Sequence, residues 1–427
     1  MADLTQTLLP TLRLTRIPDL DLGPGAIFPA YGGLSILNLP ASLCGWLGAP
    51  DLPHPPLSLA GLDGLAEGAR QVVVVLIDAV PLERFRSALD RSPASLRALE
   101  REGLFAPLTS VVPSTTTAAL TTLWTGRSPA EHGQLGDELF LREYGVVANM
   151  LNHSPMSLDH QSGLLHRAGF VPETALPVPT LGSHLAAAGA EAHAFLPHAI
   201  RGSGLSRMHL TAARSHGYAT PTDLWTGVRE LVEVSAEHRR LIWVYYGEVD
   251  ALSHRYGPGS EQAESELGAV LESFQRVFHA QLAAELRRQT LVVFLSDHGQ
   301  IVTRKDPNFE LKSHPALARR LHMQPTGENR LAYLFIRPGQ VEAVAEYFSR
   351  TWPTAFRLLP SDHALDAGLF GPGPPAPFAL DRLGDRVAIS QGDAYLWWAP
   401  KENVLVGRHG GVSPDEMIVP FLAARLG

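Results

Sequence analysis

The chain has 427 residues, of which 45% are hydrophobic and 18% are charged. This composition is typical of a folded protein with a large apolar core, and it excludes a chain that is disordered over most of its length. The formal net charge of −8 gives no broad positive surface, so the sequence shows no electrostatic footprint for nucleic acid or for anionic lipid.

Three features of the sequence bear on where the protein works. The only cysteine is Cys44, which excludes an intramolecular disulfide and a cysteine-based zinc cluster. The N-terminal segment lacks the charged region and the apolar region of a signal peptide. No apolar run reaches the length of about 18 residues that a transmembrane helix requires. The sequence therefore predicts a cytoplasmic protein without a membrane span.

The first half of the chain contains one strong strand signal among weaker elements. Residues 1–68 are rich in proline and glycine and predict an extended segment that packs on the body of the protein. The run VVVVLI at 72–77 predicts a strand that is buried on both faces. The weaker predictions are helices at 82–101, 116–124 and 222–238 and a strand at 191–196.

The middle of the chain continues the alternation of strands and helices. LIWVYY at 241–246 and LVVFL at 291–295 predict two further buried strands, and residues 261–288 between them predict a long amphipathic helix. Strands that alternate with helices are typical of an α/β fold. We therefore expect a mostly parallel central sheet that is covered by helices on both faces.

The pattern becomes irregular after residue 298. We expect a single domain over residues 1–427, with an insert or cap within it at 300–385. The elements predicted in this part are a strand at 331–336, a helix at 340–350, a surface loop at 369–378 and two short strands within 387–400.

An acidic residue follows each of the three strongest strands. Asp78 follows the first and Asp297 follows the third. In YYGEVDALSHRYGP, residues 245–258, we expect the second strand to run as far as Asp250. Ligand sites form outside the carboxyl ends of parallel strands, so the three carboxylates are expected to meet in one crevice.

Three histidines accompany these acids, namely His254, His298 and, between glycines in GRHGG, His409. Three carboxylates packed together without a cation would repel one another. A set of three aspartates and three histidines suits two divalent cations with mixed nitrogen and oxygen ligands. The histidines favour zinc, and manganese would accept the same ligands.

A nucleophile is available in VVPSTTTAALTTLWTG, residues 111–126, where hydroxyl groups precede a predicted helix. The N-terminus of a helix favours an anion through its free backbone N–H groups and its dipole. A cation nearby would also lower the pKa of a threonine hydroxyl.

Each of these residues also has an ordinary structural explanation. Asp78 can cap the helix that follows it, and Asp250 with His254 can be a cap and a solvated imidazole. His409 can be a surface histidine. The functional interpretation is favoured because all the positions fall at strand ends or glycine turns of one predicted sheet.

The order of these motifs resembles the alkaline phosphatase superfamily, and within it the type I phosphodiesterases and nucleotide pyrophosphatases. The shared pattern is an Asp after the first strand, a Thr before a helix that ends in TG, then D-x-x-x-H-x-x-G-P, SDHG and a late HG. The most specific segments are DALSHRYGP at 250–258 and SDHG at 296–299. RHGGVSPDEMIVP at 408–420 also resembles the PglZ-type members of the superfamily.

The resemblance implies an alkaline phosphatase-like core and a set of site residues. Counting back nine residues from Thr125 of the TG pair places the nucleophile at Thr116, with Thr115 as the alternative. The resemblance also implies two divalent cations, and the nucleophilic hydroxyl is expected to bridge towards the one that Asp78, Asp297 and His298 hold. The implied ligands are Asp250, His254 and His409 for one cation, and Asp78, Asp297 and His298 for the other.

The chain departs from the family at one position. The phosphodiesterase branch often has an Asn three residues after the nucleophile, where it donates to a phosphoryl oxygen, and this chain has Ala119. Asn149 and Asn152 are the candidates for substrate binding in its place.

The resemblance implies a metal-dependent hydrolase that cleaves phosphodiester or pyrophosphate bonds through a phospho-threonine intermediate. A phosphomonoesterase of the same superfamily and a non-catalytic PglZ-like interaction module are the alternatives. The expected partner is a small-molecule phosphodiester or nucleotide, and the sequence leaves the oligomeric state open.

Overall fold

The computed structural model of the protein describes residues 2–157, 162–234 and 238–427. The strands are β1 (Gln71–Ile77), β2 (Leu104–Thr109), β3 (Glu138–Leu141), β4 (Val146–Asn149), β5 (Ser154–Pro155), β6 (Glu191–Pro197), β7 (Arg214–Tyr218), β8 (Arg240–Tyr246), β9 (Thr290–Leu295), β10 (Ile301–Val302), β11 (Thr326–Glu328), β12 (Leu331–Leu334), β13 (Phe356–Pro360), β14 (Arg386–Ser390), β15 (Gly407–Arg408) and β16 (Ile418–Arg425).

The α-helices connect and cover these strands. They are α1 (Thr5–Leu14), α2 (Leu39–Trp46), α3 (Leu62–Ala66), α4 (Leu82–Arg91), α5 (Ala94–Glu102), α6 (Thr116–Thr125), α7 (Pro129–His132), α8 (Leu181–Ala187), α9 (Gly204–His209), α10 (Pro221–Glu233), α11 (Glu248–Tyr256), α12 (Glu261–Ser273), α13 (Ala284–Gln289), α14 (Pro315–Ala318), α15 (Val341–Thr351), α16 (Ser361–Asp366), α17 (Ala379–Leu383) and α18 (Pro414–Met417).

The central sheet has seven strands in the order β2-β16-β9-β1-β8-β6-β7. β1 pairs in parallel with β8 and β9, and β6 pairs in parallel with β7 and β8. β16 is antiparallel to both of its neighbours. The predicted α/β fold with a mostly parallel sheet is therefore confirmed.

Strand β1 shows why its sequence reads as a continuous apolar run. Val73, Val75 and Ile77 pack in the core on one face of the sheet. Val72 and Val74 pack in the core on the opposite face. Successive side chains of a strand point to opposite faces, so a strand covered by helices on both sides needs apolar residues at every position.

A second sheet has seven strands in the order β13-β14-β12-β11-β3-β4-β5. Its pairings are antiparallel, and they join residues 138–155 to residues 326–390, as in the pair of Glu138 with Gly327. The single domain over 1–427 and the insert at 300–385 stay predictions about domain boundaries.

Several predicted elements differ from the structure. The helix predicted at 82–101 is divided into α4 and α5, because Pro93 cannot continue a helix that precedes it. The long helix predicted at 261–288 is divided into α12, a π-helical segment at Phe274–His279, and α13. The helix predicted at 222–238 ends at Glu233, and residues 235–237 lie outside the described residues.

The prediction of an extended segment at 1–68 was wrong in part. This segment contains α1, α2 and α3, and its apolar side chains supply the packing that favours these helices over an extended chain. Leu12, Leu37 and Leu43 are fully buried against the body of the protein.

Candidate active site

The carboxyl ends of β1 and β9 bring together the residues that we call the buried group, Asp78, Asp297 and His298. Asp78 follows β1 directly, and Asp297 lies two residues beyond the end of β9. Their ligand atoms lie within 4.8 Å of one another. His298 Nε2 is 3.4 Å from Asp78 Oδ1 and 3.6 Å from Asp297 Oδ2. All three side chains are excluded from solvent.

The hydrogen bonds of the buried group leave one oxygen of each carboxylate free. Asp78 Oδ1 and Asp297 Oδ2 are buried without a hydrogen-bond partner among the described residues. The imidazole Nδ1 of His298 lies 3.0 Å from the carbonyl oxygen of Gly299, which fixes the proton on Nδ1 and leaves the lone pair on Nε2. Orphaned carboxylate oxygens beside a neutral imidazole nitrogen fit a divalent cation.

A second set of ligands, which we call the outer group, consists of Asp250, His254 and His409. The prediction that the second strand runs to Asp250 was wrong, because β8 ends at Tyr246 and α11 begins at Glu248. Residues four apart lie on the same face of a helix, so α11 presents both Asp250 and His254 to the site.

The geometry of the outer group also suits a cation. His254 Nε2 lies 3.4 Å from Asp250 Oδ1 and 3.1 Å from His409 Nε2. Nδ1 of His254 is 2.9 Å from the carbonyl oxygen of Gly407, which leaves Nε2 as the free nitrogen. Asp250 Oδ1 accepts a hydrogen bond of 2.7 Å from the amide of Gln300.

His409 joins the outer group to the buried group. Its ring stacks on that of His298 with a centroid distance of 4.1 Å. The turn that follows it requires glycine, because Gly410 has a φ of +102° and a Cβ there would lie 2.5 Å from Cβ of Glu328.

Burial and mutual repulsion disfavour the ionised forms of the carboxyl groups in the site, and bound cations would offset both effects. Burial raises the pKa of Asp78 well above its usual range, and the nearby carboxylates of Asp297 and Asp250 raise it further. Burial raises the pKa of Asp297 to about 7. The pKa of His409 lies well below its usual range because of burial and because of the two neighbouring imidazoles of His298 and His254. Without a cation, burial and mutual repulsion therefore disfavour the ionised carboxylates of Asp78 and Asp297, and bound divalent cations would favour them. The low pKa of His409 favours its neutral imidazole, which is the form that binds a metal.

Thr116 is the hydroxyl residue that faces the buried group. It is the first residue of α6, and Thr115 is the N-cap. Its Oγ1 lies 3.4 Å from Asp78 Oδ2 and 3.2 Å from His298 Nε2. Thr115 instead directs its hydroxyl to Asp137 Oδ1 at 3.4 Å. Of the two predicted nucleophiles, the structure brings Thr116 to the ligands.

Two cavities adjoin the site. The first cavity, of about 250 Å³, is lined by Thr116 and Tyr245 together with apolar side chains such as Leu120 and Trp243. The second cavity, of about 510 Å³, is lined by His254 and His409 on the side of the outer group.

The two predicted asparagines are placed in different cavities. Asn152 lines the first cavity and Asn149 lines the second. Oδ1 of Asn149 accepts a hydrogen bond of 3.0 Å from the backbone N–H of Asn152, so this oxygen maintains the local turn. Ala119 is fully buried in the core beside the central sheet.

Sequence reasoning missed several residues of the site. Tyr245 lies in β8 beside β1, and its hydroxyl donates to Asp78 Oδ2 at 2.5 Å. Asp137 and Glu328 meet where the second sheet approaches the site, since the N–H of Asp137 donates to Glu328 Oε1 at 2.7 Å. Tyr245 could have been identified from the sequence, because it lies near the end of a predicted strand and five residues before Asp250. No sequence pattern predicted the contact between Asp137 and Glu328.

Comparison with known families agrees with the geometry. The family model "Type I phosphodiesterase / nucleotide pyrophosphatase" matches residues 72–411. The chain therefore belongs to this family of phosphoric ester hydrolases, within the alkaline phosphatase superfamily, and is an enzyme of that class. The family is typically dependent on divalent metals, and both ligand groups lie within the matched region. No curated protein sequence matches the chain.

Solved structures share the fold at low sequence identity. Murine ectonucleotide pyrophosphatase / phosphodiesterase 5 has a TM-score of 0.63 at 18% identity, with 83% of this chain and 87% of that chain covered. An inactive variant of the murine protein in complex with AMP gives 0.60 at 16% identity, with 83% and 88% covered. Phosphonoacetate hydrolase from Sinorhizobium meliloti 1021, in complex with phosphonoformate, gives 0.59 at 18% identity, with 84% and 90% covered.

The described residues contain no helix that is both long enough and apolar enough to cross a membrane. The cytoplasmic location stays a prediction.

Proposed function

We propose that the protein hydrolyses phosphodiester or pyrophosphate bonds in two steps, with Thr116 as the nucleophile. The observation that carries this proposal is the position of the Thr116 hydroxyl, 3.4 Å from Asp78 Oδ2 and 3.2 Å from His298 Nε2 at the start of α6. A hydroxyl at this place lies beside the buried group and lines the first cavity.

The two ligand groups would each hold one divalent cation, for which zinc suits the histidines and manganese is acceptable. When bound, the cations supply positive charge that lowers the pKa of a hydroxyl or a water and neutralises charge on the phosphoryl group. The residues that would hold them are Asp78, Asp297 and His298 in the buried group and Asp250, His254 and His409 in the outer group.

The protein groups around Thr116 orient it for attack. Its hydroxyl donates towards Asp78 Oδ2, so the proton that must leave is already directed to a carboxylate oxygen. The contact of His298 Nδ1 with Gly299 prevents this ring from turning away. The free N–H groups of the first turn of α6 favour the negative oxygens of a phosphoryl group.

In the first step, the hydroxyl of Thr116 gives its proton to Asp78 Oδ2, Oγ forms a bond to phosphorus, and the bond from phosphorus to the leaving oxygen breaks. The leaving oxygen takes a proton from solvent. In the second step, a water molecule loses one proton to solvent as its oxygen bonds to phosphorus, the bond from phosphorus to Oγ breaks, and Oγ takes back the proton from Asp78. Splitting the reaction in this way replaces one difficult displacement by two easier ones.

Steady-state hydrolysis tests the proposal. Bis-p-nitrophenyl phosphate and p-nitrophenyl phosphate are compared in wild type, Thr116→Ala and Thr115→Ala, each supplied with zinc or manganese. We expect faster cleavage of the diester, a loss of at least about a thousandfold in Thr116→Ala and a much smaller loss in Thr115→Ala. Near-normal turnover by Thr116→Ala would overturn the role of this residue, and preference for the monoester would favour a phosphomonoesterase.

A further inference from the structure

The segment RHGGVSPDEM at 408–417 supplies His409, and the residues that follow this histidine have no role in the proposed attack by Thr116. They form a turn and then α18, in which the side chain of Glu416 is fully buried. Arg330, which directly precedes β12 of the second sheet, is also fully buried. A buried charge is costly unless it is paired, so each of these two side chains requires a partner.

Arg330 and Glu416 form a bidentate ion pair. Nε of Arg330 donates to Oε1 of Glu416 at 2.9 Å, and Nη2 donates to Oε2 at 2.8 Å. Nη1 donates to the carbonyl oxygens of Gly392 and Ala394. Burial raises the pKa of Glu416, but Arg330 and the groups that donate to the carboxylate lower this pKa by more. The carboxylate is therefore ionised, and the planar pairing fixes its orientation.

The carboxylate of Glu416 also holds the turn that carries His409. Its Oε1 accepts a hydrogen bond of 2.9 Å from the backbone N–H of Gly411, and its Oε2 accepts one of 3.2 Å from the backbone N–H of Ser413. The carboxylate lies so close to the main chain that a Cβ at position 411 would be 2.7 Å from Oε2. The second glycine of GRHGG is therefore required by its contact with Glu416.

Two further hydrogen bonds join this turn to the segment that precedes the nucleophile. The backbone N–H of Gly410 donates to the carbonyl oxygen of Ser114 at 2.9 Å. The hydroxyl of Ser114 donates to the carbonyl oxygen of Gly411 at 2.7 Å. Ser114 lies two residues before Thr116, so the turn held by the carboxylate is attached directly to the start of α6.

The main chain of Glu416 makes a separate link to the buried group. Its carbonyl oxygen accepts a hydrogen bond of 2.8 Å from the backbone N–H of Gly299. The carbonyl oxygen of Gly299 is in turn the partner of Nδ1 of His298. A substitution of the Glu416 side chain keeps this backbone link, so the effect of the carboxylate is directed to the turn of His409.

We propose that Glu416, oriented by Arg330, is a positioning residue for His409. The pair fixes the turn of this ligand against the segment of Thr116 and thereby sets the affinity of the outer group for its cation. Neither side chain lines the first or the second cavity, so both act through other residues and not on the substrate. This inference rests on the proposed function, because it needs a cation in the outer group.

Zinc titration of the metal-free protein tests the inference in wild type, in Glu416→Gln and in the control Glu131→Gln. The substitution replaces an accepting oxygen of Glu416 by an NH₂ group among the donors of Arg330 and the backbone, so the turn loses its support. Glu131 is the matched control because it is the third residue of α7, as Glu416 is of α18. Its buried carboxylate accepts the backbone N–H of Ser128 and pairs with His54.

We expect Glu416→Gln to bind one of two cations about 10- to 100-fold more weakly than wild type, and Glu131→Gln to keep both affinities. Added to His254→Ala, which disables the outer group, Glu416→Gln should leave the affinity for the remaining cation unchanged. Two wild-type affinities in a folded Glu416→Gln would overturn the inference alone. Failure of wild type to bind two cations would overturn the metal sites of the proposed function as well.

A double variant separates positioning from stability. Arg330→Met combined with Glu416→Met removes the ion pair without leaving a buried charge, and such replacements often keep a protein folded. We expect the same weakening of one cation, because the N–H of Gly411 has lost its acceptor. Wild-type affinity for both cations in the folded double variant would show that the pair is only structural and would overturn the inference.

A measurement on the wild type covers the case in which these variants do not fold. If the carboxylate positions His409, the hydrogen bonds to Gly411 and Ser413 must exist before metal binds. Their amides should therefore exchange hydrogen slowly in the metal-free protein, as followed by mass spectrometry of the peptide that contains them. Fast exchange that becomes slow only after zinc is added would contradict a turn that Glu416 holds in place.

Discussion

The phenol of Tyr245 donates a hydrogen bond of 2.5 Å to Oδ2 of Asp78, and it does so from the strand that lies next to β1 in the central sheet. The other oxygen of the same carboxylate, Oδ1, has no hydrogen-bond partner among the described residues. One oxygen of Asp78 is therefore held by the protein, and the other is left for a cation. Such outer contacts orient metal ligands and adjust their affinity.

Replacing Tyr245 by phenylalanine should therefore weaken metal binding. The substitution removes the hydroxyl and keeps the ring, so we expect metal affinity or activity to fall by about 10- to 100-fold without a loss of fold. Zinc titration of the metal-free protein measures the affinity, and circular dichroism checks the fold. Tyr246→Phe is the matched control, since its hydroxyl contacts Glu266 instead. Equal zinc affinity in the two variants would contradict a role for Tyr245 at Asp78.

The two ligand groups predict a defined metal stoichiometry. We expect about two cations per chain in wild type and about one in His254→Ala, because this change removes a ligand from the outer group alone. Elemental analysis after dialysis gives the ratio. His322→Ala, an exposed histidine, is the control and should keep the wild-type value. Loss of both cations from His254→Ala would show that the groups bind as one unit.

The contribution of His209 to folding stability should fall as the pH drops below the usual pKa of histidine. His209 is buried, and burial, with a smaller effect of His153, lowers its pKa to about 3. The unfolded chain then binds more protons than the folded chain between about pH 6.5 and pH 3, so stability rises with pH in this window. At pH 5 the loss from this residue is about 2 kcal/mol relative to pH 7.

Denaturant unfolding at pH 7 and pH 5 measures this effect. His209→Gln can keep the contact with Thr121 but cannot gain a proton, so its stability should change less between the two pH values. His322→Gln should retain the wild-type dependence. An identical pH dependence in wild type and His209→Gln would contradict the assignment.

At position 119 the chain has alanine where the phosphodiesterase branch often has asparagine, and restoring the asparagine tests whether this position faces the substrate. Its side chain is fully buried in the core. An asparagine there would bury an amide without evident partners, so we expect Ala119→Asn to lower the free energy of unfolding by about 1–3 kcal/mol and to give no gain in diester hydrolysis. Ala186→Asn, at an exposed position of α8, should cost less than about 1 kcal/mol. Faster diester hydrolysis by a stable Ala119→Asn would show that this position faces the substrate.

The sequence predicted those residues of the site that lie at the ends of the main strands. The apolar runs of β1 and β9 predict the buried strands, and the chain direction in a parallel sheet then brings Asp78 and Asp297 to one edge. The motif around Asp250 and His254 identified two residues that the structure brings together, but it assigned Asp250 to the end of a strand instead of to a helix. Either a strand end or a helix face could place these two residues together. The sequence pattern alone did not distinguish between these two elements.

The second sheet could not be predicted in the same way. It joins Glu138 to Gly327 across about half of the chain, and such a pairing depends on packing rather than on local sequence periodicity. The carboxyl groups of the second cavity depend on this pairing. Asp137, Glu138 and Glu328 therefore emerged from the structure alone, whereas His254, His409 and Asn149 of the same cavity were predicted from the sequence.

A covalent intermediate at Thr116 can be trapped and detected directly. Wild type, supplied with zinc, is mixed with bis-p-nitrophenyl phosphate, quenched in acid within the first turnovers and digested for peptide mass spectrometry. We expect one phosphoryl group on Thr116 and none in Thr116→Ala treated in the same way. A phosphoryl group on Thr115, or active turnover with no phosphorylated peptide, would contradict it.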